Sequence, residues 1–292
     1  MKRIMIVAGV ALTFGLTACY DLNKEPEGVL STATPFTQIG EIRNYLDQFY
    51  QTGTKYYDDN NKLVSYGDGM RTQGFDAGGG QYIAGYDTYS DNMSSSSVNT
   101  RLAGEMSVAN ASSLTNYTAI RNLNYLLLNM ENCQEKGTEY NQYVGEAYYF
   151  RAWYYYQMFI NYGQLTWVDT PLDPDIELMR LPRAERTVIA DKILNDLTEA
   201  VKYLNEKSNS ASMRVHRDVA RALKSEVALF EGTWEKYHKA ENDEFYDKTV
   251  TNEKINSYFT QAAQAAKEVM DRNVWHIYST GKPNNDYRIM FQ

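Results

Sequence analysis

Residues 145–172, with the sequence GEAYYFRAWYYYQMFINYGQLTWVDTPL, decide the fold of this chain. We predict a helix of about six turns over residues 139–162, because this run contains no proline and no series of β-branched residues. Gly163 is expected to end the helix. Aromatic side chains cover most of its circumference, so it must lie between other helices as a buried structural element. Glu146 lies too far around the helix to reach Arg151, so we expect Arg151 to find its partner on a neighbouring helix.

Four motifs in and after this helix follow one pattern: Glu146-Ala147, Phe150-Arg151-Ala152, Asn161-Tyr162-Gly163 and VDTPL at residues 168–172. The pattern resembles the SusD/RagB family of outer-membrane nutrient-binding lipoproteins, whose corresponding helix is followed by Tyr-Gly and a short segment ending in proline. The family's usual Gly-Gly-Val-Pro is altered here to Gly-Gln-Leu-Thr. Two further stretches also match the family: Tyr117, Ile120 and Asn124 in one predicted helix, and Arg186-Thr187, Ile193, Asp196-Leu197 and Ala200 in another.

The N-terminus has the pattern of an exported lipoprotein. Two basic residues precede an apolar run at residues 4–14, which is too short to span a bilayer and has the flanks of a signal peptide. The motif Leu-Thr-Ala-Cys then ends at Cys19 and matches a bacterial lipobox. We predict a lipoprotein signal peptide over residues 1–18, lipid attachment at Cys19 and a polar tether over residues 19–34. An ordinary secretory signal with an incidental cysteine is the alternative.

Charge and cysteine content narrow the class of protein. The 292 residues include 29 Lys and Arg against 37 Asp and Glu, a formal net charge of −8. Cleavage before Cys19 leaves 27 basic residues against 37 acidic ones, a net charge of −10. This excess, with no basic cluster interleaved with aromatics, argues against nucleic acid as a partner. If Cys19 is lipidated, Cys133 is the one remaining thiol, so we expect no internal disulfide.

Further helices are predicted where apolar residues recur at helical spacing, at residues 41–50, 114–130, 187–204, 217–232 and 252–271. Thr187 is expected to cap its helix, and Gly232 to end the next one. The helix at 114–130 and the one at 139–162 are expected to pack as an antiparallel hairpin.

The predicted fold is mostly α, with a tetratricopeptide-like core of paired helices. The resemblance implies the same core. We expect one SusD-like N-terminal helical domain over residues 35–292 that carries a loop-rich insertion at residues 52–110.

The segment 52–110 is rich in glycine and is expected to be irregular, but its many tyrosines disfavour disorder. A sugar ring stacks its C–H face on an aromatic side chain and bonds its hydroxyls to carboxylate, amide or guanidinium groups. We therefore predict that the segment forms a glycan-binding surface, with these ligand-binding candidates: Asp68, Arg71, Tyr82, Tyr86, Tyr89, Asp91 and Asn92. The alternative, given equal weight, is that the tyrosines fasten the loops to the helical core.

Signals of catalysis and metal binding are weak. The histidines His216, His238 and His276 stand without an HExxH motif or Cys/His spacing, so we predict no metal. The sequence contains no G-x-S-x-G elbow, and nothing singles out one pair among 37 acidic residues for glycoside hydrolysis. We predict that the protein is not an enzyme and uses no cofactor.

The resemblance implies a surface-exposed, lipid-anchored protein of the outer membrane. Such a protein binds glycans or other nutrient oligomers and delivers them to a SusC-like TonB-dependent transporter. The alternative is a helical-repeat scaffold lipoprotein that binds other proteins and no carbohydrate. Family members continue well beyond a Tyr-x-x-x-Phe segment that residues 287–291 resemble, so we expect this chain to be the N-terminal portion of a full-length member.

Overall fold

Helices make up most of the described chain. The computed structural model describes residues 34–50, 103–105, 117–171, 181–207, 214–276 and 278–290, together with strands at 55–57 and 63–65. The elements below belong to the unit Phe36–Gln292. In chain order they are α1 (Ile39–Tyr50), β1 (Lys55–Tyr57), β2 (Leu63–Ser65), α2 (Tyr117–Asn129), α3 (Thr138–Tyr162), α4 (Arg186–Tyr203), α5 (Arg217–Glu241), α6 (Asn252–Asp271) and α7 (Pro283–Met290).

Helix α3 is the aromatic helix predicted at residues 139–162, and it packs against α1, α2 and α4. Several of its largest side chains are fully buried, among them Tyr149, Phe150, Tyr155 and Phe159. The helix ends at Gly163, whose φ of +68° is the left-handed conformation that glycine adopts without strain. The prediction of a helix enclosed by other helices is therefore confirmed.

Helices α2 and α3 form an antiparallel pair, as predicted. The ring centroids of Tyr117 and Tyr155 lie 6.4 Å apart. About two turns later in α2, Asn124 accepts a hydrogen bond from Arg151, which precedes Tyr155 in α3. The pairing therefore runs in opposite directions along the two helices. A 3-10 turn, Met130–Asn132, closes α2 before the connection to α3.

From α3 onward each long helix packs on the next, α3 on α4, α4 on α5 and α5 on α6. The predicted apolar stripe of α4 is buried throughout: Ile189, Ile193, Leu197, Ala200 and Leu204. A β-carbon on Gly145 of α3 would lie 2.7 Å from the backbone nitrogen of Leu204, so the absence of a side chain there allows the close approach of α3 to the end of α4. These stacked helices form the tetratricopeptide-like core that the sequence predicted.

The prediction that Thr187 caps α4 is wrong. The helix already begins at Arg186, and the preceding Glu185 makes no side-chain capping bond. The Thr187 hydroxyl instead donates to the Asp247 carboxylate, a residue of the connection between α5 and α6. A tertiary contact therefore takes the hydroxyl that local sequence assigned to the cap.

The prediction that Gly232 ends α5 is also wrong, because α5 continues to Glu241 and stops at Asn242, whose φ is +53°. Gly232 lies where α5 crosses α6. A β-carbon there would lie 3.1 Å from Tyr258 Cβ and 3.2 Å from Phe259 Cε1. The glycine serves helix-to-helix packing rather than helix termination.

Part of the segment predicted to be irregular forms an antiparallel strand pair, with Lys55 opposite Ser65 and Tyr57 opposite Leu63. The two strands contain tyrosine, leucine and valine, which favour extended structure. The intervening DDNNK sequence is rich in turn-forming residues. These local preferences account for a strand pair within residues 52–110.

Candidate functional site

The predicted ligand-binding residues between Asp68 and Asn92 lie outside the described residues, as does Cys19. The structure does describe the residues that carry the family resemblance, and several of these are buried between helices. It also describes the outer surface of α3, α4, α5 and α6, which carries two open grooves.

The resemblance residues Asn124, Arg151 and Asp196 form a buried polar cluster between three helices. Arg151 Nε and Nη2 each donate to the Asp196 carboxylate at 2.7 Å, and Nη1 donates to Asn124 Oδ1 at 2.9 Å. All three residues are buried. The predicted interhelical partner of Arg151 is therefore Asp196 of α4, and the cluster joins α2, α3 and α4.

The same cluster fixes the extended segment at residues 163–171. Asn124 Nδ2 donates to the Val168 carbonyl at 2.9 Å, and the Val168 N–H donates to the Tyr155 hydroxyl at 2.7 Å. The Tyr117 hydroxyl donates to the Thr166 carbonyl at 2.9 Å. Trp167 stacks on Tyr155 with ring centroids 4.0 Å apart. The motif residues thus position the chain that follows α3, and they are framework residues rather than an exposed binding surface.

A second buried cluster lies between α4 and α5. Arg186 donates to Glu231 Oε2 from Nε at 3.1 Å and from Nη2 at 2.9 Å, and its guanidinium carbon lies 4.1 Å from the centroid of Trp234. Glu235 accepts the Asp247 N–H at 3.1 and 3.2 Å. The described residues contain no group of three or more His, Cys, Asp or Glu placed to hold a metal ion.

Two glutamates of this cluster share one site. Burial raises the pKa of Glu231, and burial together with the adjacent Glu231 carboxylate raises the pKa of Glu235 to about 8. Glu231 Oε1 is buried and has no hydrogen-bond partner among the described residues. Burial therefore disfavours the charged form of both carboxyl groups at this site.

An open groove on the outer surface combines aromatic and polar side chains. One face of α5 and one residue of α3 line this cavity of about 440 Å³, which we call the aromatic groove. Its lining includes Tyr156, Glu226, Phe230, Trp234, Tyr237 and His238. Tyr237 is 59% exposed, whereas Tyr156 is 4% exposed and forms the inner wall.

Hydrogen bonds hold the polar groups of the aromatic groove in place. The Tyr156 hydroxyl donates to Glu226 Oε1 at 3.2 Å, and burial, together with that carboxylate, raises the pKa of Tyr156 above its usual value. His238 Nδ1 lies 2.5 Å from Asp243 Oδ2. Trp234 Nε1 donates to the Phe245 carbonyl at 2.9 Å. The groove therefore presents fixed aromatic surfaces beside a carboxylate and an imidazole.

A second open groove, of about 460 Å³, lies along α4 and is lined also by Gln261 of α6. Its lining contains no aromatic side chain and includes Asp191, Lys192, Asn195 and Thr198. Asp191 already pairs with Lys254 at 2.6 Å. This groove lacks a stacking surface.

Sequence reasoning missed the aromatic groove because it ended α5 at Gly232. Helical spacing relates four groove residues, Glu226, Phe230, Trp234 and Tyr237. They lie on one face of a helix only if the helix continues through Gly232. The i, i+4, i+8 and i+11 spacing was the available signal.

Comparisons with known proteins agree with this architecture. The sequence model of a SusD-like family, described as starch-binding and associating with the outer membrane, matches residues 44–229, well over half of the chain. A solved SusD-like carbohydrate-binding protein from Bacteroides fragilis is 14% identical with a TM-score of 0.55, and the match covers 81% of this chain and 41% of that one. A SusD superfamily protein from Bacteroides thetaiotaomicron is 18% identical with a TM-score of 0.50, covering 85% and 50%.

A further solved SusD-like protein from Bacteroides fragilis is 22% identical with a TM-score of 0.44, and the match covers 56% of this chain and 27% of that one. The chain thus spans half or less of the length of these solved structures. A search of the curated proteins gave no match. Because the family match extends from α1 into α5 and the stacked helices agree with the solved folds, this chain belongs to the SusD-like family.

Proposed function

We propose that this protein is a glycan-binding lipoprotein of the outer membrane that captures oligosaccharides at the cell surface and catalyses no reaction. The observation that carries the proposal is the family match over residues 44–229, to a family described as starch-binding and associating with the outer membrane. A solved protein with the same fold is described as carbohydrate-binding.

Membrane attachment through an acylated Cys19 is part of the proposal. The supporting feature is the lipobox-like motif that ends at this cysteine, after a signal peptide over residues 1–18. Within the described ranges, no helix is both long and apolar enough to cross a bilayer. A lipid-anchored protein needs no such helix.

We place the glycan site in the segment 52–110. Its residues supply ring faces and hydrogen-bonding groups together: Asp68, Arg71, Tyr82, Tyr86, Tyr89, Asp91 and Asn92. The framework role of Asn124, Arg151 and Asp196 supports this placement, because these buried side chains are not available to a ligand.

The proposed partner is a SusC-like TonB-dependent transporter, to which the captured oligosaccharide is delivered. Family membership supports this partner. Co-purification of such a transporter with the lipidated protein from outer membranes is the corresponding measurement.

Affinity electrophoresis against a panel of polysaccharides tests the glycan-binding proposal. We expect one glycan to retard the purified chain, and the combined Tyr82→Ala, Tyr86→Ala and Tyr89→Ala variant to bind it at least tenfold more weakly, since each lost aromatic contact costs about 0.5 to 1.5 kcal/mol. Tyr278→Ala, at an exposed tyrosine outside the segment, is the matched control.

If the glycan retards the triple variant and the wild type equally, these three tyrosines do not form the glycan site and the proposed location is wrong. No retardation of a chain that unfolds cooperatively would favour the helical-repeat scaffold instead. Release of reducing sugar during the experiment would identify a hydrolase.

A further inference from the structure

The aromatic groove lies outside the segment 52–110 and is built entirely from α3 and α5. Its floor is packed by ring contacts: Phe230 packs edge-on against Tyr156 and Phe159, with centroids 6.1 Å apart in both pairs. Trp234 is fixed on one side by Arg186 and at its indole N–H by the Phe245 carbonyl. A preformed surface of this kind loses little conformational entropy when a ligand binds.

Tyr237 is the exposed platform of the aromatic groove. Its ring is 59% exposed and, among the described residues, stacks on no other aromatic ring, while Lys236 Nζ lies 5.4 Å from its centroid. Leu229, which also lines the groove, is 52% exposed, and Phe245, whose ring centroid lies 5.6 Å from that of His238, is 55% exposed. Exposed apolar groups around a concave floor indicate a contact surface for a ligand with an apolar face.

The polar groups of the groove fit hydroxyls rather than a charged ligand. Glu226 has one carboxylate oxygen bonded to Tyr156, and the imidazole of His238 is held through Nδ1 by Asp243. No lysine or arginine lines the groove in the part of the chain that is described. Arg186 beneath Trp234 is paired with Glu231. The described lining thus carries the Glu226 carboxylate and no cation, and a neutral polyol can donate to that carboxylate, while the ammonium of Lys236 lies at the outer edge beside the Tyr237 ring.

The size of the groove is that of a small-ligand site. Its volume of about 440 Å³ lies at the lower end of the roughly 300 to 1,000 Å³ found for such sites. A stable protein interface buries about 800 Å² on each partner. The exposed side chains of Leu229, Tyr237 and Phe245 form a smaller apolar surface than such an interface needs.

We propose that the aromatic groove binds a segment of a neutral oligosaccharide, with one sugar ring stacked on Tyr237 and its hydroxyls bonded to Glu226 and His238. This inference rests on the proposed function and adds a second site to it, on the helical core. Two sites on one protein hold a glycan that is long enough to reach both more strongly than either site alone, because the second contact is intramolecular.

The test is titration of the purified chain with the glycan that retards it, comparing Tyr237→Ala with Tyr237→Phe. We expect Tyr237→Ala to weaken binding about fivefold to tenfold, because the stacked ring is lost, and Tyr237→Phe to bind like the wild type. Tyr278→Ala, at a tyrosine that is 45% exposed elsewhere, serves as the control. In addition, the indole N–H resonance of Trp234, assigned by its loss in Trp234→Phe, should shift when the glycan is added.

The outcomes separate this inference from the proposed function. If Tyr237→Ala binds with wild-type affinity and the Trp234 resonance does not move, the groove is not a glycan site, although glycan binding itself stands. If no glycan binds the wild-type chain, both proposals fail. If Tyr237→Ala and Tyr237→Phe lose affinity equally, ring stacking is not the contact and the inference is overturned.

Discussion

Replacing Arg151 with alanine is expected to lower the free energy of unfolding by about 3 to 5 kcal/mol, as measured by urea denaturation. Arg151 holds the buried Asp196 carboxylate through two hydrogen bonds of 2.7 Å and Asn124 through a third of 2.9 Å. Without the guanidinium, a buried charge loses its partner and three helices lose their shared contact. This loss is a large fraction of the stability of an ordinary domain.

Two controls distinguish the unpaired charge from the loss of side-chain volume. The double variant Arg151→Met with Asp196→Leu removes both charges and should recover most of the stability. Lys267→Ala breaks an exposed pair, whose side chains are 66% and 61% exposed, and should change the free energy of unfolding by less than about 0.5 kcal/mol. An Arg151→Ala variant that is as stable as the wild type would contradict the framework role of the Asn124, Arg151 and Asp196 cluster.

Replacing Glu235 with glutamine is expected to stabilise the protein at alkaline pH. The glutamine oxygen can still accept the Asp247 N–H, and its NH₂ group can donate to the unpartnered Oε1 of Glu231. The variant therefore keeps the hydrogen bonds of the protonated carboxyl without its titration. The charged or titratable groups that interact with Glu235 are Glu231 on α5, Arg186 on α4, Asp247 in the following connection and Tyr258 on α6. Asp191 on α4 interacts with Glu231 and Tyr258.

The pH dependence follows from the raised pKa of Glu235. Below its ordinary value near 4.5, the folded and unfolded chains both hold the proton. Between that value and about pH 8, the unfolded chain releases the proton that the folded chain keeps, so this group's contribution to stability falls as pH rises. Above pH 8 the folded chain also releases it and the fall ends.

The difference between the Glu235→Gln variant and the wild type should therefore grow from about pH 5 to about pH 8, reaching on the order of 2 to 4 kcal/mol. Urea denaturation at several pH values measures it. Glu241→Gln, at an exposed position of the same helix, should show no such trend. A stability difference that stays constant across this range would show that Glu235 does not titrate between the two states.

The helical core could be predicted from the sequence because its signals are local and periodic. The aromatic run of α3, its end at Gly163 and the buried stripe of α4 follow from residue spacing alone. The sequence also predicted that Arg151 has a partner on another helix, since a buried guanidinium requires an acceptor. That the partner is Asp196 could be learned only from the packing of α3 on α4.

The errors arose where a tertiary contact overrides a local preference. Gly232 stands at a helix crossing rather than a helix end, and Thr187 bonds to Asp247 rather than to its own helix terminus. The first error hid the aromatic groove, because Trp234 and Tyr237 join Phe230 on one face only when α5 runs through Gly232. The glycan site in the segment 52–110 stays a prediction.

Titration of the purified chain with neutral polysaccharides, at low and at high salt, tests the central claim of glycan capture most directly. We predict that one glycan binds with an affinity that changes little between about 50 and 500 mM salt, because ring stacking and hydrogen bonds to neutral hydroxyls are not screened by ions. A cooperatively folded chain that binds no glycan, or whose affinity falls steeply with salt, would contradict this account.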